Sequence, residues 1–218
     1  AKSDFVVKGD LTEMLPILTG ETLKNPPPTL SKNEILRGAI HIGSFSIPFV
    51  CMHLLNHYIV SLIILLTTAL YITSEFLRIR GINLPVTSTI TWKTARKPEL
   101  YEIVTAPVLF ALGIVLSLIL FPTPVNYVPV TILTLGDGFA TFFGKTLGRT
   151  VLPLNKGKTV EGSAFGFICA FSGALLFINP TKALISSAIG TLVELLPLPI
   201  NDNLTIPLTT GLALTLIP

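Results

Sequence analysis

The architecture of this chain follows from residues 135–167, LGDGFATFFGKTLGRTVLPLNKGKTVEGSAFGF. This segment contains seven of the sixteen glycines of the chain and six charged residues. No Asp, Glu, Lys or Arg occurs in residues 103–136, and none follows Glu161 until Lys182. Ionisable residues next to long apolar segments are costly in a membrane and usually mark a functional site. We therefore expect this segment to carry the chemistry of the protein.

The composition of the chain is that of a membrane protein. Of the 218 residues, 50% are hydrophobic and 12% are charged, whereas an ordinary soluble domain has about 25% charged residues. The mean hydropathy is +0.73. The net charge is only +3, with the basic residues spread over several loops, which argues against nucleic-acid binding. Cys51 and Cys169 both lie in apolar runs, which favours buried hydrophobic side chains over a disulfide or metal site.

Apolar runs separated by helix breakers predict an all-α integral membrane protein with about seven transmembrane helices. A span needs about 20 apolar residues, and residues 38–74, which lack Asp, Glu, Lys and Arg, are long enough for two. No polar linker divides the chain, so we expect one polytopic domain over residues 31–218. Residues 1–30 are expected to form either a tail or an amphipathic helix on the membrane surface. The predicted spans are 35–54, 58–79, 102–121, 125–146, 159–178, 181–198 and 203–218.

Lysine and arginine are concentrated in alternate connections, which predicts the orientation in the membrane. They precede the first span and recur around the 80–101 and 147–158 connections, whereas the connections near 55–57, 122–124 and 179–181 have none. The N-terminus is therefore expected in the cytoplasm, with the protein in a prokaryotic cell membrane or the endoplasmic reticulum. This orientation brings many polar residues to one membrane face: Arg37, His41, Glu75, Arg78, Asp137, Glu161, Glu194, Asp202 and Asn203.

The glycine-rich segment has the composition of a phosphate site but lacks the commonest phosphate motif. Residues 144–146 and 157–159 both read Gly-Lys-Thr, but the first glycine of a Walker A loop is replaced by Phe139 in one case and Leu152 in the other. Glycine N–H groups and a helix N-terminus still favour anions. We therefore predict a nucleotide phosphate site around Lys158. Basic residues that could add charge there, or could only anchor the loop at lipid headgroups, are Lys145, Arg149 and Lys156.

A nucleoside triphosphate arrives with a divalent cation, and Mg²⁺ takes oxygen ligands, often one or two carboxylates plus phosphates. Asp137, which lies between two glycines, is the first candidate ligand, and Glu161 is the second. The alternatives are a salt bridge from Asp137 to Lys145 and a capping role for Glu161. Transfer to a hydroxyl also needs a base or an orienting group. The candidates are His41, Glu194 and Asp202, against the alternatives of an ordinary interface residue for His41 and a solvated turn for Asp202.

The order of these motifs resembles that of the CTP-dependent dolichol and polyprenol kinase family, which includes phytol and diacylglycerol kinases and is related to phosphatidate cytidylyltransferases. The shared core runs Gly136-Asp137-Gly138-Phe139-Ala140, Gly144-Lys145, Gly148 and Lys158-Thr159-Val160-Glu161-Gly162-Ser163. The kinase branch is favoured by Arg37-Gly38-Ala39-Ile40-His41, in which Gly38 replaces the usual Lys, and by Glu194 followed by Asp202-Asn203 and Pro207. The C-terminal Asp-Arg-x-Asp signature of the cytidylyltransferases is absent. The resemblance covers about residues 34–212.

The resemblance implies transfer of the γ-phosphate of CTP to the hydroxyl of a long-chain isoprenoid alcohol, dolichol or polyprenol, with Mg²⁺ or another divalent cation, giving polyprenyl phosphate and CDP. The expected catalytic residues are Asp137, Lys158, His41 and Asp202, and the expected metal ligands are Asp137 and Glu161. The expected nucleotide-binding residues are Gly138, Gly144, Lys145, Gly148, Lys156, Gly157, Lys158, Thr159, Glu161, Gly162 and Ser163. The expected substrate-binding residues are Arg37, His41, Glu194 and Asn203.

Two other functions stay open from the sequence. One is a CTP-dependent cytidylyltransferase acting on a lipid phosphate, and the other, more remote, is a small membrane transporter, for which internal repeats would be expected. The expected partners are a membrane lipid and a nucleotide, without nucleic acid, and a homodimer is left open.

Overall fold

The computed structural model of the chain describes residues 32–82, 91, 103–153, 155 and 157–217. The expected N-terminal tail or surface helix, residues 1–30, lies outside these residues, as do most of the 80–101 connection and Lys156. Within the described ranges the secondary structure is helical, apart from one isolated antiparallel β-bridge between Val151 and Thr159. The all-α prediction is therefore confirmed for the part of the chain that the structure describes.

The helices coincide with the seven segments predicted from apolar runs, except that four of them begin one to three residues earlier. A π-helical segment, Ile132–Asp137, joins α5 to α6. The helices are α1 (Lys32–Gly43), α2 (Ser46–His53), α3 (His57–Ile79), α4 (Ala106–Leu120), α5 (Tyr127–Thr131), α6 (Gly138–Thr146), α7 (Val160–Ala174), α8 (Pro180–Leu195) and α9 (Asp202–Leu216).

Two helical segments of the described chain are long and apolar enough to cross a membrane. They are Glu34–His53, with 20 residues, and His57–Ile79, with 23 residues. Ala106–Leu120 and Val160–Ala174 are apolar but shorter. One side of α3 leaves large apolar side chains exposed, as expected for a lipid-facing surface; they include Ile59, Leu62, Leu66 and Leu70. The seven crossings and the cytoplasmic N-terminus stay predictions.

Four helices begin where a polar side chain accepts a hydrogen bond from the first turn, as expected for an N-cap. Asn56 caps α3 and Thr159 caps α7 in this way. Asn179, which precedes Pro180, caps α8, and Asn201 caps α9. These caps set the helix starts close to the breaks predicted from the sequence.

Helices α6 and α7 approach each other closely because small residues line both of their facing sides. A Cβ atom added to Gly162 would lie 2.6 Å from the carbonyl oxygen of Ala140, and one added to Gly166 would lie 2.7 Å from the Cβ atom of Ala140. Small residues four apart are a common basis for close helix crossings in membranes. This crossing places the start of α7, which follows Lys158, beside the helix that carries Asp137.

The π-helical segment ends at Asp137, where the chain meets α1. A Cβ atom added to Gly138 would lie 2.9 Å from Cγ1 of Ile42 and 3.5 Å from Cβ of His41, so the glycine is needed for α1 to pack here. π-helical turns occur frequently at functional sites. The position of Asp137 at this junction, facing α1, is consistent with that tendency.

Candidate functional site

Lys158 is surrounded by three carboxylates from three different elements. Its Nζ atom donates a hydrogen bond to Oε1 of Glu194 at 2.5 Å and another to Oδ1 of Asp137 at 3.3 Å. Oδ2 of Asp202 lies 3.9 Å from the same nitrogen. Asp137 ends the π-helical segment, Glu194 lies in the last turn of α8 and Asp202 opens α9. We call these four residues the Lys158 cluster.

The Lys158 cluster is largely shielded from solvent. The side chains of Lys158, Asp137 and Glu194 are 19%, 16% and 4% exposed, and that of Asp202 is 33% exposed. Burial alone would lower the pKa of Lys158, but the charges of the three carboxylates outweigh it and raise the pKa above its usual value. Burial raises the pKa of Asp202, and Lys158 only partly offsets this. Lys158 is therefore held as an ammonium ion among three carboxyl groups.

His41 lies at the edge of the Lys158 cluster. Its Nδ1 atom is 3.4 Å from Oδ2 of Asp137, without the geometry of a hydrogen bond and without another such partner among the described residues. The imidazole packs on the ring of Phe110, with 4.1 Å between the ring centroids and 31° between the planes. Arg37, one turn earlier on α1, is close enough to act electrostatically on both His41 and Asp137. His41 thus has a fixed ring whose buried Nδ1 atom lacks a hydrogen-bond partner among the described residues.

Lys145 does not pair with Asp137 in the described structure, although that salt bridge was one alternative from the sequence. Its Nζ atom bonds to Oε1 of Glu34 instead. Lys145 therefore links the last turn of α6 to the first part of α1. This link holds α1 over the junction that carries Asp137.

Glu161 lies with the 149–150 loop. Its carboxylate accepts hydrogen bonds from the N–H groups of Arg149 and Thr150 and from the hydroxyl of Thr150, at 3.0 to 3.2 Å. Asp137, the other predicted metal ligand, contacts His41 and Lys158. In the part of the chain that the structure describes, no group of three or more His, Cys, Asp or Glu is arranged to hold a metal ion. The two predicted metal ligands therefore have separate surroundings.

The main-chain N–H groups expected to hold phosphate are bonded within the loop itself. Those of Gly157 and Lys158 donate to Asn155, to Oδ1 at 3.2 Å and to the carbonyl oxygen at 3.0 Å. That of Gly162 donates to Oγ1 of Thr159 at 3.2 Å. In this conformation the loop can therefore contact a phosphate mainly through its side chains, chiefly that of Lys158.

The predicted nucleotide-binding glycines Gly144 and Gly148 pack against the cap of α7. A Cβ atom on Gly144 would lie 3.1 Å from Oγ1 of Thr159, and one on Gly148 would lie 2.7 Å from the same atom. The positions of these two glycines are therefore explained by the close packing of their backbone against Thr159. Ser163, in the first turn of α7, has a buried hydroxyl that finds no hydrogen-bond partner among the described residues, and it remains available as a donor.

Asn203, predicted to bind substrate, connects α9 to α4. Its N–H group donates to Oδ1 of Asn201 at 3.0 Å, and its side-chain nitrogen donates to the carbonyl oxygen of Ala106 at 3.3 Å. These bonds hold the first turn of α9 in place. Asn203 therefore positions its neighbour Asp202 at the Lys158 cluster.

Glu75 and Arg78, expected at the same membrane face, form a separate buried network. Arg78 donates to Glu75 at 2.8 Å, and the carboxylate also accepts from Oγ1 of Thr91 at 2.7 Å and from the N–H group of Val104 at 3.2 Å. This network ties the end of α3 to the chain that enters α4. None of these hydrogen bonds involves a member of the Lys158 cluster.

Two residues of the site region were missed from the sequence. Phe110, which packs on His41, stands in a continuous apolar run with nothing to distinguish it. Glu34, the partner of Lys145, lies far from it in the chain. The only available signal was that an acidic residue near the basic N-terminal flank should have a partner.

The fold and the Lys158 cluster define an all-helical protein with a lysine-centred acidic site beside a glycine-rich loop. The chain is similar to plant kinases of isoprenoid alcohols. It is 28% identical to phytol kinase 1, chloroplastic, of Arabidopsis thaliana over 154 residues, which are 62% of this chain and 51% of that protein. It is 26% identical to the probable phytol kinase, chloroplastic, of Zea mays over 161 residues, 65% of this chain and 53% of that protein.

A farnesol kinase, chloroplastic, of Arabidopsis thaliana is 30% identical over 142 residues, which are 55% of this chain and 45% of that protein. The chain thus spans about half the length of the curated relatives it matches. No family model matches the chain, and no solved structure matches it. These relatives are named for kinase activity on phytol and farnesol, which are both isoprenoid alcohols.

Proposed function

We propose that this protein is a membrane kinase that transfers the γ-phosphate of CTP to the hydroxyl of an isoprenoid alcohol, giving the alkyl phosphate and CDP. The observation that carries the proposal is the placement of the Lys158 ammonium among Asp137, Glu194 and Asp202 beside His41. The names of the relatives support phytol or farnesol as acceptor. Dolichol and other polyprenols, expected from the motif pattern, belong to the same chemical class.

Lys158 is the residue that would bind the transferred phosphate. Phosphoryl transfer requires mainly positioning and charge neutralisation, and an ammonium group held by acidic side chains is already placed for this. A phosphate oxygen would replace one of its carboxylate partners. Glu194 is the partner at the shortest distance, 2.5 Å, and it is also the most buried of the three. It would keep Lys158 in place while the nucleotide enters.

The Lys158 cluster fits a Mg²⁺ ion that arrives with the nucleotide. Three carboxyl groups lie around one ammonium, and carboxylate oxygens are the ligands that Mg²⁺ takes, usually one or two of them together with phosphates. Asp137, with Asp202 or Glu194, would hold the ion. When bound, Mg²⁺ neutralises charge on the phosphate groups. Glu161 is a weaker candidate ligand because both of its oxygens already accept hydrogen bonds.

His41 is the proposed base for the acceptor hydroxyl. The O–P bond to the alcohol forms as the bond from the γ-phosphorus to the β–γ bridging oxygen breaks, and the hydroxyl proton passes to the imidazole of His41. Asp137, whose Oδ2 atom lies 3.4 Å from Nδ1, stabilises the resulting imidazolium. Because His41 lies on α1 and Phe110 on α4, both within apolar segments, the hydroxyl can reach the site while the isoprenoid chain stays among apolar side chains.

A panel assay tests the proposal. The full chain in lipid vesicles is incubated with CTP, ATP or GTP carrying a labelled γ-phosphate, and with phytol, farnesol, geranylgeraniol, dolichol or diacylglycerol. We expect label from CTP in the phosphate of an isoprenoid alcohol. In a parallel reaction with CTP labelled at the α-phosphate and phosphatidate as acceptor, transfer of labelled CMP to the lipid would instead establish a cytidylyltransferase. Absence of any transfer under all combinations would overturn the proposal.

A further inference from the structure

We infer that Glu161 is a positioning residue that closes the loop before α7 and thereby sets the location of Lys158. The inference rests on the proposed kinase function. Oε1 of Glu161 accepts from the N–H group of Thr150 at 3.2 Å and from its hydroxyl at 3.0 Å. Oε2 accepts from the N–H groups of Arg149 and Thr150, both at 3.1 Å. One side chain thus holds the start of the loop from the first turn of the helix that follows it.

The loop itself is a short antiparallel pairing that ends at Lys158. The N–H group of Val160 donates to the carbonyl oxygen of Thr150 at 2.9 Å, and that of Leu152 donates to the carbonyl oxygen of Lys158 at 3.0 Å. Glu161 directly follows this pairing in the chain. Its carboxylate accepts hydrogen bonds from Arg149 and Thr150, at the end of the pairing away from the loop tip. The position of the Lys158 backbone therefore depends on where residue 150 is held, and Glu161 holds it.

The chain enters the loop at Gly148, next to the cap of α7. At Gly148 a Cβ atom would lie 2.7 Å from Cγ2 and Oγ1 of Thr159, so the backbone touches the cap of α7. Hydrogen bonds to an ionised acceptor are about twice as strong as neutral ones. Without the Glu161 carboxylate, two main-chain N–H groups and one hydroxyl at the loop entrance would lose their charged partner, and the loop would be free to shift together with Lys158.

Two other roles for Glu161 predict experimental outcomes that differ from those of a positioning residue. If Glu161 were a metal ligand, as the motif pattern implied, its removal would raise the Mg²⁺ requirement. If its carboxylate occupied a site meant for a nucleotide phosphate, its removal would vacate that site and strengthen nucleotide binding. The observed contacts favour positioning, because the donors around Glu161 are those of its own loop, whereas Lys158 and Asp137 contact each other.

The kinetic test compares Glu161→Ala, Glu161→Gln and Thr150→Val in the full chain. Alanine removes both acceptor oxygens, glutamine keeps the shape and one oxygen, and Thr150→Val removes only the hydroxyl bond. The matched control is Thr215→Val, an exposed α9 residue whose hydroxyl bonds to its own helix at Leu212. We expect KM for CTP to rise about ten-fold or more in the alanine variant and less in the other two. KM for the alcohol and the Mg²⁺ concentration for half-maximal rate should stay unchanged.

A second measurement does not depend on the kinase function. Trypsin cleavage after Arg149, which is exposed, is followed in the folded full chain in detergent. Glu161→Ala should accelerate this cleavage several-fold relative to the parent protein and to Thr215→Val, even if the protein transfers no phosphate. Unchanged cleavage with an unchanged KM would overturn the inference. So would a raised Mg²⁺ requirement, which indicates a metal ligand, or a lowered KM for CTP, which indicates a displaced anion.

Discussion

Oε1 of Glu194 lies 2.5 Å from Nζ of Lys158, and this pair joins the last turn of α8 to the loop before α7. Glu194 is the most buried acid of the Lys158 cluster, with 4% of its side chain exposed. Removal of one partner of a buried ion pair leaves an uncompensated buried charge, which is strongly destabilising. The pair therefore links the stability of the helix bundle to the residue that we propose binds the phosphate.

Removal of Lys158 should reduce both stability and nucleotide binding. Lys158→Met leaves Glu194 without its cation, which we expect to lower the free energy of unfolding by about 3–5 kcal/mol. The double variant Lys158→Met with Glu194→Gln should recover most of that stability but none of the activity. Thermal unfolding and CTP kinetics of the three proteins check this. If the single variant were as stable as the parent, the pair would have no structural role.

Asp137→Asn should abolish transfer while the protein stays folded in the membrane. The substitution keeps the shape but removes the charge that faces both Lys158 and His41. We expect a fall in kcat of at least about 100-fold. Membrane fractionation and a melting curve serve as controls for folding. Full activity in this variant would rule out a metal-ligand role for Asp137 and its stabilisation of a protonated His41.

His41→Gln should lower kcat with little change in KM for CTP, because His41 contacts Asp137 and Phe110 but makes no direct contact with Lys158 among those described. A fall of about 100-fold or more is expected for loss of a general base. The matched control is His53→Gln, at the exposed end of α2, which should retain the parent rate. Equal effects of the two substitutions would contradict a catalytic role for His41.

Gly162→Ala should disrupt the crossing of α6 and α7. The added methyl group would lie 2.6 Å from the carbonyl oxygen of Ala140 and 2.7 Å from Cα of Gly144, and main-chain atoms cannot move aside cheaply. We expect a loss of roughly 1–3 kcal/mol, typical of overpacking. The control is Gly38→Ala on α1, where no atom lies within 4 Å, and which should be neutral or gain up to about 1 kcal/mol. The melting temperatures of the two variants, each compared with the parent protein, measure these effects.

The orientation can be tested with single cysteines in a background lacking Cys51 and Cys169. A cysteine at Pro122 should react with a membrane-impermeant thiol reagent added outside sealed cells, because the positive-inside rule places that connection outside. A cysteine at Val151, which is exposed in the loop, should react only after the membrane is opened. The reverse pattern would invert the proposed topology.

The extent of the helices could be predicted from the sequence, because apolar run length and breaker residues determine where a helix fits. The convergence of Asp137, Lys158 and Glu194 also followed, since the alternation of basic loops assigns each helix end to a face. The choice of partners did not follow. Lys145 pairs with Glu34 and not with Asp137, because the pairing depends on how α1 lies over α6, and hydropathy carries no information about that.

The loop contacts were equally inaccessible from the sequence. Glycine-rich loops have free N–H groups in principle, but here Asn155 and Thr159 accept the N–H bonds of the loop and of the first turn of α7. The π-helical segment before Gly138 also has no sequence signal that separates it from an ordinary α-helix. It changes the direction in which the following residues project, so no helical-wheel prediction through this region would be correct.

The crossing of α6 and α7 restricts how the site can open. Since their backbones touch at Gly162 and Gly166, an isoprenoid chain cannot pass between these two helices. A lipid substrate must therefore reach the Lys158 cluster from another side.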